Sequence, residues 1–447
     1  MIERSFVSTG LERYNMNKLF LITWIFPAFL FAQTQFTNVQ LKNTGVTNVL
    51  NGISEPAIAI DPNNPSIMAA GSIMNAYYYS TDAGESWKSY SMSSKYGVWG
   101  DPVLMFDTTG RVYYFHLSDY SKGSWIDRIV CQSAPSVDGK FNTGTFPKPS
   151  GTKAQDKHWV ALDPKTNEVF MTWTQFDAYD SREPRDSSRI MFSKSSDQGK
   201  TWSDPMRISK FAGDCQDGDY TVEGAVPAVG PNGEVYVTWT GPKGLVFQRS
   251  LDRGKTWLPE EQIIHVHHGG WEMTIPGMYR ANGLPILQCD LSDGPNRGNL
   301  YLNWCDQKNG FNNTDVWLSV SEDGGKSWSE PRKVNQDETQ THQFFTWMSV
   351  DQTSGYLYFV YYDRRNYTDN QTDVYLSVSR DGGLTFTDHR ISAESFIPSQ
   401  DVFFGDYLNI AAVNGTIRPI WPRMDFGKTS LWIALIQEAE LLKSSGK

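Results

Sequence analysis

The sequence predicts an all-β fold, a β-propeller of four-stranded antiparallel blades, with seven blades favoured and six as the alternative. Three observations carry this. An eight-residue phrase is written five times: Ser80-Thr-Asp82-Ala-Gly84-Glu-Ser86-Trp87, and its kin at Ser195–Trp202, Ser250–Trp257, Ser321–Trp328 and Ser379–Phe386. A second motif opens a strand at Gly110-Arg-Val-Tyr113, Asn167-Glu-Val-Phe170, Gly233-Glu-Val-Tyr236, Gly298-Asn-Leu-Tyr301 and Gly355-Tyr-Leu-Tyr358, with Gly415-Thr-Ile-Arg418 as a diverged copy. A short apolar run precedes each one, as in Pro102–Phe106, Trp159–Leu162 and Trp347–Val350. Self-similarity at this spacing means one small supersecondary unit used repeatedly.

Taken in order, each unit reads strand, strand, strand, phrase, strand. Ala57–Ile60 starts the first unit. Three residues beyond each second-strand motif stand His116, Trp173, Trp239, Trp304, Tyr361 and Trp421, an aromatic alternation suited to a half-buried sheet. The phrase itself is a turn. Its Ser and Asp side chains can bond nearby backbone amides, its Gly takes a backbone angle other residues resist, and its aromatic anchors the turn in apolar packing. The second unit keeps only a decayed copy at Ser136-Val-Asp138, and the seventh has none. Phe36–Leu41 is expected to supply the seventh unit's outer strand, so that the two ends of the chain close the ring and cover exposed edges. In the six-bladed alternative, residues 36–90 pack as an irregular extra layer.

Residues 33–447 are then one domain, a size a many-bladed ring reaches on its own. Lys18 before the apolar run Leu19–Phe31, with Ala32 and Gln33 behind it, reads as an export signal over residues 1–32, with Met16 as the expected true start. The run is short for a bilayer span and no later one could span, so a secreted or periplasmic, monomeric protein is expected. A net charge of −10 argues against a nucleic-acid partner. Cys131, Cys215, Cys289 and Cys305 allow three pairings, yet Cys289 and Cys305 fall out of register across their hairpin; buried free thiols are at least as good a reading.

If the innermost strand comes first in each unit, the phrases lie on one face of the ring. The loops leading into the innermost strands, and those joining second and third strands, lie on the other. The lead-in loops carry ionisable groups beside apolar strands: Glu55, Asp101, Asp156-Lys157-His158, Asp219-Tyr220 with Glu223, His342 and Asp406-Tyr407. The second set adds Asp306, Asp363-Arg364-Arg365, Arg423 and Asp425, and the long loop before the fifth unit adds Trp271-Glu272 and Tyr279-Arg280. Carboxylates, Arg, Tyr and Trp around one pocket suit a carbohydrate, acidic glycans included: aromatic faces stack on sugar rings, Arg clamps acidic groups, and paired carboxyls run acid/base chemistry. The expected catalytic set is Asp101, Glu223, Asp406 and Tyr407. The expected substrate-binding set is Glu55, His158, Arg280, His342, Asp363 and Arg364. The alternative for each of these is structural duty, bonding backbone amides near the axis. His116 stands where other units have Trp or Tyr, which favours a core role.

Two metal-like features are weaker. His265-Val-His267-His268 puts two imidazoles on one side of a strand without a third ligand, and Asp214-Cys-Gln-Asp217-Gly-Asp219 resembles a calcium loop but equally suits a solvated acidic turn. No cofactor is expected, with calcium the one candidate.

The repeated phrase is similar to the Asp-box, or BNR, signature, and through it the chain resembles the sialidase-like β-propellers. The resemblance covers the mature chain and implies a glycan-active enzyme, a glycoside hydrolase. In that family three arginines hold the substrate carboxylate, and a Tyr–Glu pair and an Asp do the chemistry. The first arginine normally sits shortly before the first box, where this chain has Ser54-Glu55-Pro56. A carboxylate there repels an acidic sugar, which argues against a true exo-sialidase. Tyr407 or Tyr220 with Glu223 are the candidate nucleophile pairs, and Arg280, Arg364 and Arg423 a candidate arginine cluster. A polysaccharide lyase, and a non-catalytic propeller that binds glycans or proteins, are the alternatives.

Overall fold

The computed structural model describes residues 36–43, 52–119, 125–149 and 151–444. The expected export signal and the alternative start at Met16 lie outside the described residues. Among the described residues seven antiparallel blade sheets follow one another along the chain, settling the blade count at seven, and a two-stranded ribbon, Glu272–Met273 with Ala281–Asn282, lies before the fifth. The first is Ala57–Ile60, Met68–Ser72, Ala76–Ser80 and Lys88–Ser91, in sequence order from the inside out. The second has three strands, Gly100–Phe106, Val112–Leu117 and Ile129–Ala134, with a bridge from Cys131 to Thr145 in the fourth place. Innermost strands of consecutive blades touch, and the first touches the seventh, so the ring is closed. No helix among the described residues is long and apolar enough to cross a membrane.

Closure follows the expected route. The seventh blade runs Asn409–Val413, Thr416–Asp425 and Lys428–Gln437, and its outer strand is Thr37–Asn43. Thr37 pairs with Leu435 and Val39 with Ile433, antiparallel. Pairing both ends of the chain in one sheet leaves that blade without an open inner junction.

Every full copy of the repeated phrase joins the third and fourth strands of its blade. In the fifth blade, Ser321 Oγ accepts the Gly325 amide at 2.8 Å, and Asp323 Oδ1 accepts the amides of Lys326 and Ser327, both at 2.9 Å. The turn is also a fastener between blades. Gly325 has φ +79, and a Cβ there would sit 2.2 Å from the Phe247 ring of the preceding blade; at Gly254 it would sit 2.3 Å from Phe192. The phrase's Trp then closes on the same ring, Trp328 on Phe247 at 5.3 Å and Trp257 on Phe192 at 5.0 Å between centroids. Glycine is needed here for both angle and space. The decayed copy keeps part of the pattern, with Ser136 Oγ donating to Asp138 at 2.8 Å.

All four cysteines are buried free thiols.

Candidate functional site

A second regularity sits at the inner end of the blades. Just before the innermost strand or within its first half the backbone turns left-handed, at Glu55 (φ 51), Asp101 (φ 49), Lys157 (φ 48), Gly224 (φ 72), Phe345 (φ 53) and Gly405 (φ 88). In the second, third, fourth and sixth blades the strand pairing slips at this point, the signature of a bulge. Holding a non-glycine residue in this conformation costs about 1–2 kcal/mol, and a bulge re-aims the side chain it carries. Two residues further on, Trp159, Trp347 and Tyr407 occupy equivalent places and pack as a plug, with centroids 4.4 Å apart for the tryptophans and 5.1 Å for Trp159 on Tyr407.

Above that plug lies a buried charge network. Lys157 Nζ meets Asp406 Oδ2 at 2.8 Å and Asp101 Oδ2 at 4.0 Å. Arg280 grips both oxygens of Asp406, with Nε to Oδ1 at 2.8 Å, and its Nη1 reaches Asp217 at 3.1 Å. Its guanidinium lies over Trp271 and Phe403, each 5.2 Å away. Tyr179 donates to Asp217 at 2.7 Å, and Asn282 donates to the Asp406 carbonyl at 2.8 Å. Burial opposes the Asp406 charge, but Arg280 and Lys157 hold its carboxyl well below the usual range. Burial likewise opposes the Lys157 charge, and Asp406 and Asp101 hold it well up. Glu55 is pushed the other way, by burial first and then by the Asp101 charge beside it. Glu223 is raised by burial and then by Asp217, and Asp156 rises to about 8, chiefly through burial. Six carboxyls thus share two cationic side chains, which is why several of them are driven toward the neutral form.

A cavity of about 710 Å³ opens above part of this network. Trp99, Trp125, Tyr179 and Phe403 give it aromatic walls, and Glu55, Asp101, Asp156, Lys157 and Arg280 its polar floor. Trp125 stands edge-on to Trp99 at 5.6 Å and to Tyr179 at 5.1 Å. The cavity is off centre: its lining comes from lead-in and second-to-third-strand loops of the first three blades, joined by Arg280 and Phe403.

The structure brings Glu55, Asp101 and Arg280 together in this cavity. Asp406 lies beneath it, bound to Lys157 and Arg280, and Glu223 is fully buried outside its lining. Tyr407 belongs to the aromatic plug. His158 is buried, with its imidazole lowered to about 4 by burial. His342, Asp363 and Arg364 gather elsewhere, on the sixth blade. The His342 ring sits 3.0 Å from Thr314 Oγ1, Asp363 accepts from Arg365 at 2.8 Å, and Arg364 donates to the Pro276 carbonyl at 2.7 Å. Arg280, Arg364 and Arg423 go to separate partners, Arg423 to Glu394 and Asp425. Tyr220 is 71% exposed and does not line the cavity. His116 is fully buried, as its core reading expects. The three histidines of the 265–268 stretch face Ser319, Thr240 and Asp306 separately.

Sequence reasoning gives no role in the site to Lys157, Tyr179, Trp99, Trp125 or Phe403, and places Asp217 only in a calcium-like acidic loop. Lys157 had a legible signal, since Lys157-His158-Trp159 aligns with Glu55-Pro56-Ala57 and Asp101-Pro102-Val103 and so shares their inward bulge. For Asp217 the sequence offers only that loop: there Asp214 bonds Thr221, Asp219 bonds the Glu272 amide, and Asp217 meets Arg280 at the floor.

A BNR/Asp-box repeat model matches residues 78–89, the first copy of the phrase. No curated protein sequence matches the chain. Among solved structures, a polysaccharide lyase described as an ulvan lyase bound to -[GlcA(1-4)Rha3S]- aligns over 89% of this chain and 96% of its own, with a TM-score of 0.51 and 14% identity. A Hadza microbial sialidase aligns over 84% and 75% at TM-score 0.45 and 14% identity. A sialidase from Streptococcus pneumoniae aligns over 83% of each chain at TM-score 0.48 and 9% identity. At such identities the likeness is one of fold. The chain carries a BNR/Asp-box repeat at residues 78–89 and folds as a seven-bladed propeller.

Proposed function

We propose that the protein is a glycan-active enzyme that hydrolyses glycosidic bonds in the aromatic-walled cavity, with Glu55 as its general acid and Asp101 as the carboxyl that orients it. The observation that carries this reading is the cavity itself: four aromatic rings around two adjacent carboxyls, of which Glu55 is driven toward the protonated form. A protonated carboxyl in a pocket that stacks a sugar ring can donate to a leaving glycosidic oxygen, and Asp101 beside it holds that proton in place. The floor favours a neutral or amino sugar over an acidic one, because Arg280 and Lys157 already face Asp406 and carboxyls outnumber cations. That balance also weighs against a lyase, which needs a cation to neutralise a uronate.

The test is purified protein on a panel of neutral, amino-sugar, sialylated and uronate-containing glycans, beside Glu55→Gln and Asp101→Asn. Release of reducing ends from a neutral or amino-sugar glycan, reduced at least a hundredfold in Glu55→Gln, is the expected result. Unsaturated uronate products would replace this reading with a lyase. Binding without cleavage would replace it with a non-catalytic glycan-binding propeller.

A further inference from the structure

Beneath the cavity floor, carboxylate oxygens of Asp156, Asp217 and Glu223 all lie within 4.8 Å of one another. They come from three separate stretches: the innermost strand of the third blade, the loop before the fourth, and the innermost strand of the fourth. Two further observations point to a guest between them. Glu223 is fully buried, and neither of its carboxylate oxygens has a hydrogen-bond partner. Asp217 Oδ1 is buried and unpartnered as well, although its Oδ2 takes Tyr179 and Arg280. Asp156 Oδ1 accepts only the next amide, Lys157 N–H, at 2.8 Å. Buried carboxylate oxygens left unpaired are costly, and the chain spends no donor on these.

The nearby cations do not fill the gap. The Lys157 ammonium is turned to Asp406 and Asp101, and the Arg280 guanidinium divides between Asp406 and Asp217 Oδ2. We infer that Asp156, Asp217 and Glu223 form a binding site for a calcium-sized divalent cation under the pocket floor. All-oxygen, carboxylate-rich ligation suits a hard cation, and ligands about 2.3–2.6 Å from one ion stand up to about 5 Å apart. Water completes the shell. An ion there ties the lead-in segment bearing Lys157 to the loop whose Asp217 anchors Tyr179 and Arg280, so it braces the floor and one wall of the cavity. This site differs from the loop Asp214–Asp219 as a whole: Asp214 and Asp219 are spent on Thr221 and the Glu272 amide.

The experiment is a calcium titration of protein stripped with a chelator, read by thermal denaturation, by calorimetry, and by displacement of terbium whose emission is sensitised through neighbouring aromatics such as Tyr179. Calcium is expected to bind one-to-one, to raise the parent's melting temperature by about 3 °C at a hundredfold excess over Kd, and to displace terbium. Glu223→Gln is expected to weaken binding at least tenfold, Asp156→Asn likewise, and Asp219→Asn to bind as the parent does. Absence of heat, melting shift and terbium displacement in the parent overturns the inference. So does full calcium binding by Glu223→Gln, or loss of binding in Asp219→Asn, which would move the ion into the loop. The parent's one-to-one binding decides the matter if the buried variants fail to fold.

Discussion

Lys157, in the innermost strand of the third blade, and Asp406, at the head of the seventh, form a 2.8 Å ion pair whose side chains are 5% and 0% exposed. The pair is the hub of the floor, since Asp406 also holds Arg280 and Lys157 also faces Asp101. Two charges out of water are tolerable only with each other and with further hydrogen bonds. Removing Lys157 takes from Asp101 the cation it faces and leaves Asp406 to Arg280 alone.

Lys157→Met should therefore destabilise the fold by about 3–5 kcal/mol, the usual result of breaking a buried pair from one side. Urea denaturation followed by tryptophan fluorescence measures it. A loss below about 1 kcal/mol would mean that the pair is solvated and the floor open to water.

The phrase glycines make a sharper mechanical prediction. Gly325→Ala meets both a φ of +79 and a Cβ 2.2 Å from the Phe247 ring, whereas Gly427→Ala meets only a φ of +74 with nothing within 4 Å. The first should cost about 2–4 kcal/mol and the second about 1 kcal/mol. Equal costs in chemical denaturation would show that the inter-blade contact contributes nothing.

Acid should remove the stability of the buried neutral imidazoles, while raised carboxyls such as Asp156 act in the opposite sense over the same range. Burial lowers the imidazoles of His116 and His342 to about 4, the second helped by Arg364. An unfolded imidazole titrates near 6.5, so on acidification the unfolded chain takes protons first. The stability these groups contribute is whole above about pH 6.5 and is lost as pH falls from there through about 4. Over that window the melting temperature of the parent should fall relative to that of His116→Gln, which lacks one of these imidazoles. Parallel profiles of the parent and His116→Gln down to pH 4.5 would count against it.

For the cavity, Trp125→Ala removes a wall that stands against both Trp99 and Tyr179. Glycan binding should weaken about tenfold, the worth of one aromatic contact, with the melting temperature little changed. An unaltered Kd in calorimetry would place the sugar elsewhere.

How far the sequence reached differs between scaffold and site. Blade rhythm, the placement of the phrase between third and fourth strands, and closure by Phe36–Leu41 were legible because each is local: a turn, an alternation, a strand at a chain end. The lead-in ring was legible as a ring, and Glu55, Asp101 and Arg280 do share a cavity. The sorting within it was not. His158 and Lys157 are neighbours in sequence, yet the bulge sends Lys157 to the floor and His158 into the core. Arg364 looked free to clamp a substrate and instead satisfies the Pro276 carbonyl.

The sequence by itself determined the architecture, since five copies of a self-contained turn and a matching strand repeat admit little besides a closed ring of blades. Only the tertiary structure decided which charges meet. Asp217, Arg280 and Asp406 lie far apart along the chain, and their pairing depends on loop paths that no local propensity encodes. A turn is specified by bonds among its own few residues. A pocket is specified by how distant loops divide one buried space, and burial then sets which carboxyls can stay charged.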